Sequence, residues 1–252
     1  MTATAPAGPD EILEIAERAR SVLSPEVWDF VEGGSTEAGP GANEAALESV
    51  SLVPRVLSGA ARVTTRARML DGWVRAPMAV APMAYQRLLH PEGEVAAAEA
   101  AHDNGVPYVV STLTSRPLED IAATGAELWF QLYWAGDEGR VRGLLDQARE
   151  AGCRTLVLTV DVPVMAQRPR DVRNGFRLPS HVRAVLLQEA ADEAHRPGPG
   201  SAVARHTNVL FHSALTWEHV GKLRDWWDGP LIVRGALDWP AAALGALLCP
   251  KV

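Results

Sequence analysis

Residues 127–161 read ELWFQLYWAGDEGRVRGLLDQAREAGCRTLVLTVD. ELWFQLY and TLVLTVD are short and apolar almost throughout, the composition of strands buried on both faces. DEGRVRGLLDQAREAG between them reads as a helix. A strand, a helix and a second strand in this order make a βα unit of a parallel sheet.

The unit repeats in both directions. Upstream, the strand APMAVAP (76–82) precedes the helix PEGEVAAAEAAHDNG, and the strand PYVVST (107–112) precedes the helix PLEDIAAT. Downstream, the helix TWEHVGKLRDWWDG leads to the strand PLIVRGA (230–236) and a last helix, WPAAALGALL. An open doubly wound sheet and a (β/α)8 barrel both fit this alternation. The doubly wound nucleotide fold usually carries GxGxxG after its first strand, and APMAYQRLLHPEGE lacks it. Every strand instead ends in polar or special residues: Pro82 and Met83, Ser111 and Thr112, Gln131 and Tyr133, Thr159 and Asp161, Arg234. A barrel builds its active site at those strand ends. There are about five βα units where a closed barrel has eight, so the expectation is an incomplete barrel over residues 76–252.

Residues 1–75 are expected to form an N-terminal tail, helices and a lid extension. DEILEIAERARSVLS spaces Ile12, Leu13, Ile15, Ala16, Ala19, Val22 and Leu23 as a helix does. SPEVWDFVEGGS supplies an N-cap (Ser24), a proline at the first helical position (Pro25) and a stop at Gly33–Gly34. ANEAALESV is a third helix. SLVPRVL and VTTRARML are expected to pair as a small antiparallel lid. Residues 162–212 read as a long irregular connection, of the kind that covers a substrate site. Its Pro197–Gly200 stretch is expected to be mobile.

Composition narrows the function. Hydrophobic residues make up 47% and charged residues 22%, ordinary for a globular protein. The net charge of -7 argues against general attraction to nucleic acid or an anionic membrane. No apolar run reaches spanning length, and MTATAPAGPD does not read as a secretory signal. Cys153 and Cys249 form no CxxC pair, which argues against a disulfide scaffold or zinc site and fits a reducing cytoplasm. No P-loop, HExxH or GxSxG is present, and no metal is expected.

Several strand-end residues are candidates for chemistry. Arg168, Arg170 and Arg173 follow the fourth strand, where a guanidinium can hold a carboxylate by two parallel hydrogen bonds; the plainer reading is a solvated basic loop. Gln131 and Tyr133 share a face. A buried amide needs partners, and the edge of a flat heterocycle would supply them; Tyr133 could equally be amphipathic packing. Arg234 is either a fixed charge for an anionic cofactor or an ion-pair partner of Asp161. His90, opening HPEGE, reads as a capping or packing residue and not as a base, and no histidine sits directly at a strand end.

Taken together and in order, VAPMAYQRLLHPEGE, FQLYW, LTVDVP, RDVRNGF and LIVRG resemble the FMN-dependent 2-hydroxy-acid oxidases and dehydrogenases. WDFVEGGS, YQRL, QLYW and SAVARHT are most similar to the branch acting on mandelate or 4-hydroxymandelate-like acids. The resemblance covers about residues 10 to 240 and implies a (β/α)8 barrel with FMN at its C-terminal mouth. By position, it implies that Pro82, Met83 and Ala84 lie against the flavin and that Ser111, Gln131 and Thr159 bond its ring edge. Tyr133 would meet a small-molecule 2-hydroxy acid, and Arg168 would bind its carboxylate. Arg234 stands where the family has a lysine near the flavin. Phe30 falls where glycolate oxidase has a substrate-binding tyrosine. A type 2 isopentenyl diphosphate isomerase is a weaker resemblance.

The family continues through three more strands, with a motif like SNHGGRQLD that supplies the base and a second arginine, and with the phosphate-binding loops. No such motif follows Arg234 here. A truncated chain, inactive alone, is therefore expected. The alternative is a non-enzymatic or split-enzyme subunit, a homo-oligomer or one completed by another chain, because an unclosed sheet leaves edges to pair.

Overall fold

The computed structural model describes residues 9–36, 39–59, 61–70 and 72–236. The tail at residues 1–8, the last helix and Cys249 lie outside the described residues. Three helices come first, α1 (Pro9–Val22), α2 (Pro25–Glu32) and α3 (Gly39–Glu48), then a hairpin of β1 (Ala67–Met69) and β2 (Gly72–Val74). The regular part alternates α4 (Glu94–Asn104), β3 (Tyr108–Ser111), α5 (Leu118–Ala122), β4 (Leu128–Leu132), α6 (Glu138–Glu150) and β5 (Thr155–Thr159). After β5 come α7 (Pro169–Asn174), α8 (Ala202–Leu210), α9 (Trp217–Trp226) and β6 (Leu231–Arg234).

The strands β3, β4, β5 and β6 lie in that order in one parallel sheet. Every residue of β3, β4 and β5 is buried: Val110, Phe130 and Leu156 share one core with helix residues such as Leu144, and Val109, Trp129 and Val157 share another with Met69, Leu70, Ala79 and Ile232. Register aligns the strand ends: Ser111 faces Gln131, and Thr159 faces Arg234. Helix α6 shows how sequence makes a layer. Asp137 caps it by accepting the Arg140 N–H at 2.9 Å. Val141, Leu144, Leu145 and Ala148 recur at helical spacing and are buried.

The N-terminal boundary of the sheet departs from expectation. APMAVAP forms no strand; only Val80 bridges, in parallel, to Tyr108. Its N–H donates to the Pro107 carbonyl at 2.8 Å and its carbonyl accepts the Val109 N–H at 3.1 Å. Pro77 and Pro82 carry no N–H, so the ladder cannot extend far either way. The expected lid pairing also differs. The hairpin joins Ala67–Met69 to Gly72–Val74, and SLVPRVL takes no part in it.

Residues 162–212 are not irregular throughout. They contain α7, a run of 3-10 turns over Val185–His195, and α8. Ser201 caps α8 by accepting the Ala204 N–H at 3.3 Å. The Pro197–Gly200 stretch is tied down by Arg205, whose guanidinium donates to the carbonyls of Arg196, Pro199 and Gly200. The apolar stripe of α1 faces outward, with Ile12, Leu13, Ile15 and Val22 all exposed. No helix among the described residues is long and apolar enough to cross a membrane.

One turn fixes how β6 joins β5. A Cβ on Gly229 would stand 2.2 Å from the Arg154 carbonyl oxygen, a backbone atom. Gly229→Ala is expected to cost about 1–3 kcal/mol, the range for forcing an extra methyl into packed structure. Urea unfolding measures it, and an unchanged midpoint would show that the turn yields freely.

Candidate active site

Adjacent parallel strands are spaced about 4.8 Å apart, so residues at one level of the sheet form a row. At the C-terminal ends stand Ser111, Gln131, Thr159 and Arg234: Ser111 is in register with Gln131 and Thr159 with Arg234, and Thr159 lies two residues beyond Val157, the register partner of Gln131. The first three are buried and linked. The Ser111 hydroxyl donates to Gln131 Oε1 at 3.3 Å, and Gln131 Nε2 donates to Thr159 Oγ1 at 3.0 Å. The Thr112 N–H also donates to Gln131 Oε1 at 3.3 Å. These bonds hold the Gln131 amide plane in one orientation.

A cavity of about 110 Å³ opens beside the row. Pro82, Ala84, Tyr85, Ser111, Gln131, Tyr133 and Arg234 contribute to it from the strand ends. Phe30 of α2 and Met165, Val203, Thr207 and Phe211 contribute from the N-terminal extension and the long connection. The Phe211 ring stacks on Tyr133 with centroids 4.3 Å apart, fixed there by the antiparallel bridge between Ala135 and Phe211. Phe30 stacks on Phe176 at 4.6 Å. The roof is thus aromatic and the floor polar, as in a site for a flat, polar-edged ligand.

Electrostatics sets the state of these groups. Burial pushes the Tyr133 phenol above its ordinary value, opposed chiefly by the Arg234 guanidinium. Tyr133 is therefore a neutral donor at neutral pH. Arg168 lies one step away, its guanidinium 4.8 Å above the Phe30 ring. Its Nε donates to Asp171 Oδ2 at 2.8 Å, and Nη2 donates to the Phe30 carbonyl. Asp171 Oδ2 also accepts the Ser201 hydroxyl at 3.1 Å. The pair Arg168–Asp171 thereby joins α2, α7 and α8 beside the cavity.

The structure brings Pro82, Ala84, Ser111, Gln131, Tyr133 and Arg234 to one cavity, with Thr159 bonded directly behind it. Met83 is not part of the lining and is 40% exposed. A loop between an interrupted strand and a 3-10 turn has no side-chain period to place it by. Arg168 is adjacent to the cavity wall through Phe30 and does not itself line it. His90 does not cap α4, whose N-cap is Gly93; its Nδ1 accepts the Glu92 N–H at 3.2 Å in the turn before the helix. No histidine, aspartate or glutamate lines this cavity among the described residues, and no group of three metal-ligating side chains occurs among them.

Two residues escaped the sequence reading. Tyr85 lines the cavity, and its motif, PMAYQRL, was in view. Glu94 is fully buried and holds the loops beneath the site: its carboxylate accepts the N–H groups of Gln86 and Ser115 at 3.2 and 2.8 Å and the Ser115 hydroxyl at 2.8 Å. A glutamate beginning a helix ordinarily reads as favourable to the helix dipole, and nothing local separates that from a buried clamp.

Residues 19–246 match the family described as FMN-dependent dehydrogenase. The 4-hydroxymandelate oxidase of Amycolatopsis orientalis is 50% identical over 228 residues, covering 90% of this chain and 63% of that protein. This chain therefore spans less than two thirds of that relative's length. The crystal structure of mandelate oxidase with (S)-4-hydroxymandelic acid superposes with a TM-score of 0.89 at 46% identity, covering 94% of this chain and 67% of the other. A mandelate oxidase variant with an arginine replaced by leucine, bound to 2-hydroxy-phenylacetamide, superposes with a TM-score of 0.80 at 42% identity, covering 94% and 65%. The four-stranded parallel sheet is accordingly part of a (β/α)8 barrel.

Proposed function

Because the chain belongs to the FMN-dependent dehydrogenase family, we propose that it provides the flavin-edge and substrate-recognition part of a cytoplasmic enzyme oxidising a mandelate or 4-hydroxymandelate-like 2-hydroxy acid to its 2-oxo acid. The observation that carries this is the Ser111–Gln131–Thr159 row beneath a cavity that also holds Tyr133 and Arg234. Hydroxyls and an amide on adjacent strands, a fixed cation at the end of the row and an aromatic roof suit a planar heterocycle with donors and acceptors on its edge. FMN fits that donor set, and when bound it accepts the two electrons of the oxidation. Pro82 and Ala84 would lie against it, Ser111, Gln131 and Thr159 would hold its edge, and Arg234 would balance negative charge there.

Tyr133 would donate from its neutral phenol to the acid. Arg168 is proposed to receive the carboxylate, its reach set by Asp171 and the Phe30 carbonyl. Two matching mandelate oxidase structures carry, respectively, a tyrosine-to-phenylalanine and an arginine-to-leucine substitution. Those two positions are separated by the same number of residues as Tyr133 and Arg168. That spacing supports assigning both roles.

Removing the substrate's protons needs a base, and the cavity lining among the described residues offers none. The chain alone is therefore expected to bind FMN and 4-hydroxymandelate without turning the acid over. The test is the visible spectrum of the purified chain with FMN, before and after anaerobic 4-hydroxymandelate. A perturbed flavin spectrum that stays oxidised is the expected result. Bleaching would overturn the missing base, and an FMN spectrum identical to free FMN would overturn the flavin site.

A second reading makes this chain one subunit of a split enzyme. The apolar groove formed by Val160, Leu215, Trp217, Val220 and Val233 beside β6 favours it, since a strand edge flanked by apolar side chains is a surface for another chain. Sedimentation as a single monomeric species, unchanged at high concentration, would count against self-pairing through that edge.

A further inference from the structure

Tyr85 combines three features that rarely coincide. It is 1% exposed, its hydroxyl has no hydrogen-bond partner among the described residues, and it lines the cavity with Tyr133 and Phe30. A buried hydroxyl left unpaired is costly, and one that faces a cavity is available to pair with whatever enters it.

The backbone makes the same point independently. Tyr85 has φ 57° and ψ 43°, the left-handed region, which costs a non-glycine residue stability. The surroundings enforce it. The Tyr85 N–H donates to the Leu113 carbonyl at 3.1 Å, and its carbonyl accepts the Leu88 N–H at 2.9 Å. The next residue, Gln86, is held by its N–H to buried Glu94 and by its amide to the Tyr108 hydroxyl at 2.8 Å. Strain, an unpaired hydroxyl and a rigid mount converge on one phenol. Desolvation holds that phenol well above its ordinary pKa, so it is protonated at neutral pH.

We infer that Tyr85 is a substrate-recognition residue whose hydroxyl donates a hydrogen bond to an oxygen of the bound 2-hydroxy acid. The inference rests on the function proposed above. The acid is favoured over the flavin because the flavin-edge row is built from Ser111, Gln131 and Thr159, which bond one another. Tyr85 stands apart from that network, among the aromatic side chains of the cavity.

The test is Tyr85→Phe, which removes one oxygen and keeps the shape. Thermal unfolding of the ligand-free chain is expected to be unchanged or slightly raised, since no internal bond is lost. The dissociation constant for 4-hydroxymandelate, read from the flavin spectrum of the FMN-loaded chain, is expected to rise about tenfold, the worth of one hydrogen bond. FMN affinity is expected to stay within about twofold, since a lost hydrogen bond would cost more. If unsubstituted mandelate suffers the same loss, the acceptor lies at the 2-hydroxycarboxylate end; a loss confined to 4-hydroxymandelate puts it at the ring hydroxyl. Either supports the proposal. A lowered melting point, unchanged acid affinity, or a loss that falls on FMN would overturn it while leaving the general function standing. An unsubstituted chain that binds FMN but not the acid would overturn this inference and the proposed substrate together.

Discussion

Arg168→Leu is expected to lower unfolding free energy by about 3–5 kcal/mol at neutral pH, the cost of leaving a buried charge without its partner. Asp171 is the charge in question. It is buried, with one oxygen bonded to Arg168 and Ser201 and the other without a partner among the described residues. Burial raises its carboxyl pKa above the ordinary value, and Arg168 is the strongest influence pulling it back down. The sign follows from linkage. A carboxyl whose folded pKa exceeds its unfolded one contributes stability below the unfolded pKa, and that contribution is lost as pH rises through the folded pKa. Removing Arg168 raises the folded pKa further. The deficit of Arg168→Leu should therefore be small near pH 4, close to an ordinary carboxyl pKa, and grow toward pH 7. Asp171→Asn in the same chain should return most of the loss, because a neutral amide tolerates the site without a cation. Urea unfolding of the parent, both single variants and the double variant at the two pH values completes the cycle. A double variant as unstable at pH 7 as Arg168→Leu alone would assign the loss to packing on Phe30 instead.

This pair also marks where sequence reading reached its limit. Arg168, Arg170 and Arg173 stand out in the sequence after β5, and guanidinium geometry suits a carboxylate. What the pair touches in the folded chain does not follow, because Phe30 is brought to Arg168 and Ser201 to Asp171 by packing across segments distant in sequence. Strand ends were legible for a simple reason. Gln131 and Tyr133 are two residues apart, so the strand period alone puts them on one face, and both reach the cavity. The helices were legible through period and caps, as with Ser24 and Pro25 of α2. The apolar composition of APMAVAP suggests a strand, but Pro77 and Pro82 confine it to one bridge at Val80. The roof was underread because residues 162–212 contain many polar and turn-forming residues. A local signal for α8 was present: Ser201 precedes a segment whose buried Ala202, Val203, His206, Thr207 and Leu210 follow the helical period. Tyr85 had no such signal. An aromatic residue in a loop reads as packing until its hydroxyl is found without a partner.

Glu94→Ala is expected to cost about 3–5 kcal/mol as well, by a different route. Glu94 opens α4 after Gly93, whose φ of 52° and ψ of -123° suit glycine alone. A Cβ on Gly93 would meet the Arg87 backbone nitrogen at 3.0 Å, so the chain reverses tightly there and turns the Glu94 carboxylate inward. That carboxylate gathers donors from two loops, Gln86 from the one carrying Tyr85 and Ser115 from the one after β3. Truncation leaves two backbone N–H groups and a hydroxyl buried without an acceptor, each worth about 1–3 kcal/mol, partly recovered by water entering the space. Glu94→Gln keeps an acceptor oxygen and the volume, so its loss should be about half as large. The loops held by Glu94 also set the position of Tyr85 in the cavity. Glu94→Ala should therefore weaken 4-hydroxymandelate binding even under conditions where the variant is fully folded, whereas a clamp serving stability alone would leave that affinity untouched. Urea unfolding supplies the first number, and acid titration of the FMN-loaded chain well below its melting point supplies the second. A loss below about 1 kcal/mol would mean that the buried donors find water or one another without the carboxylate.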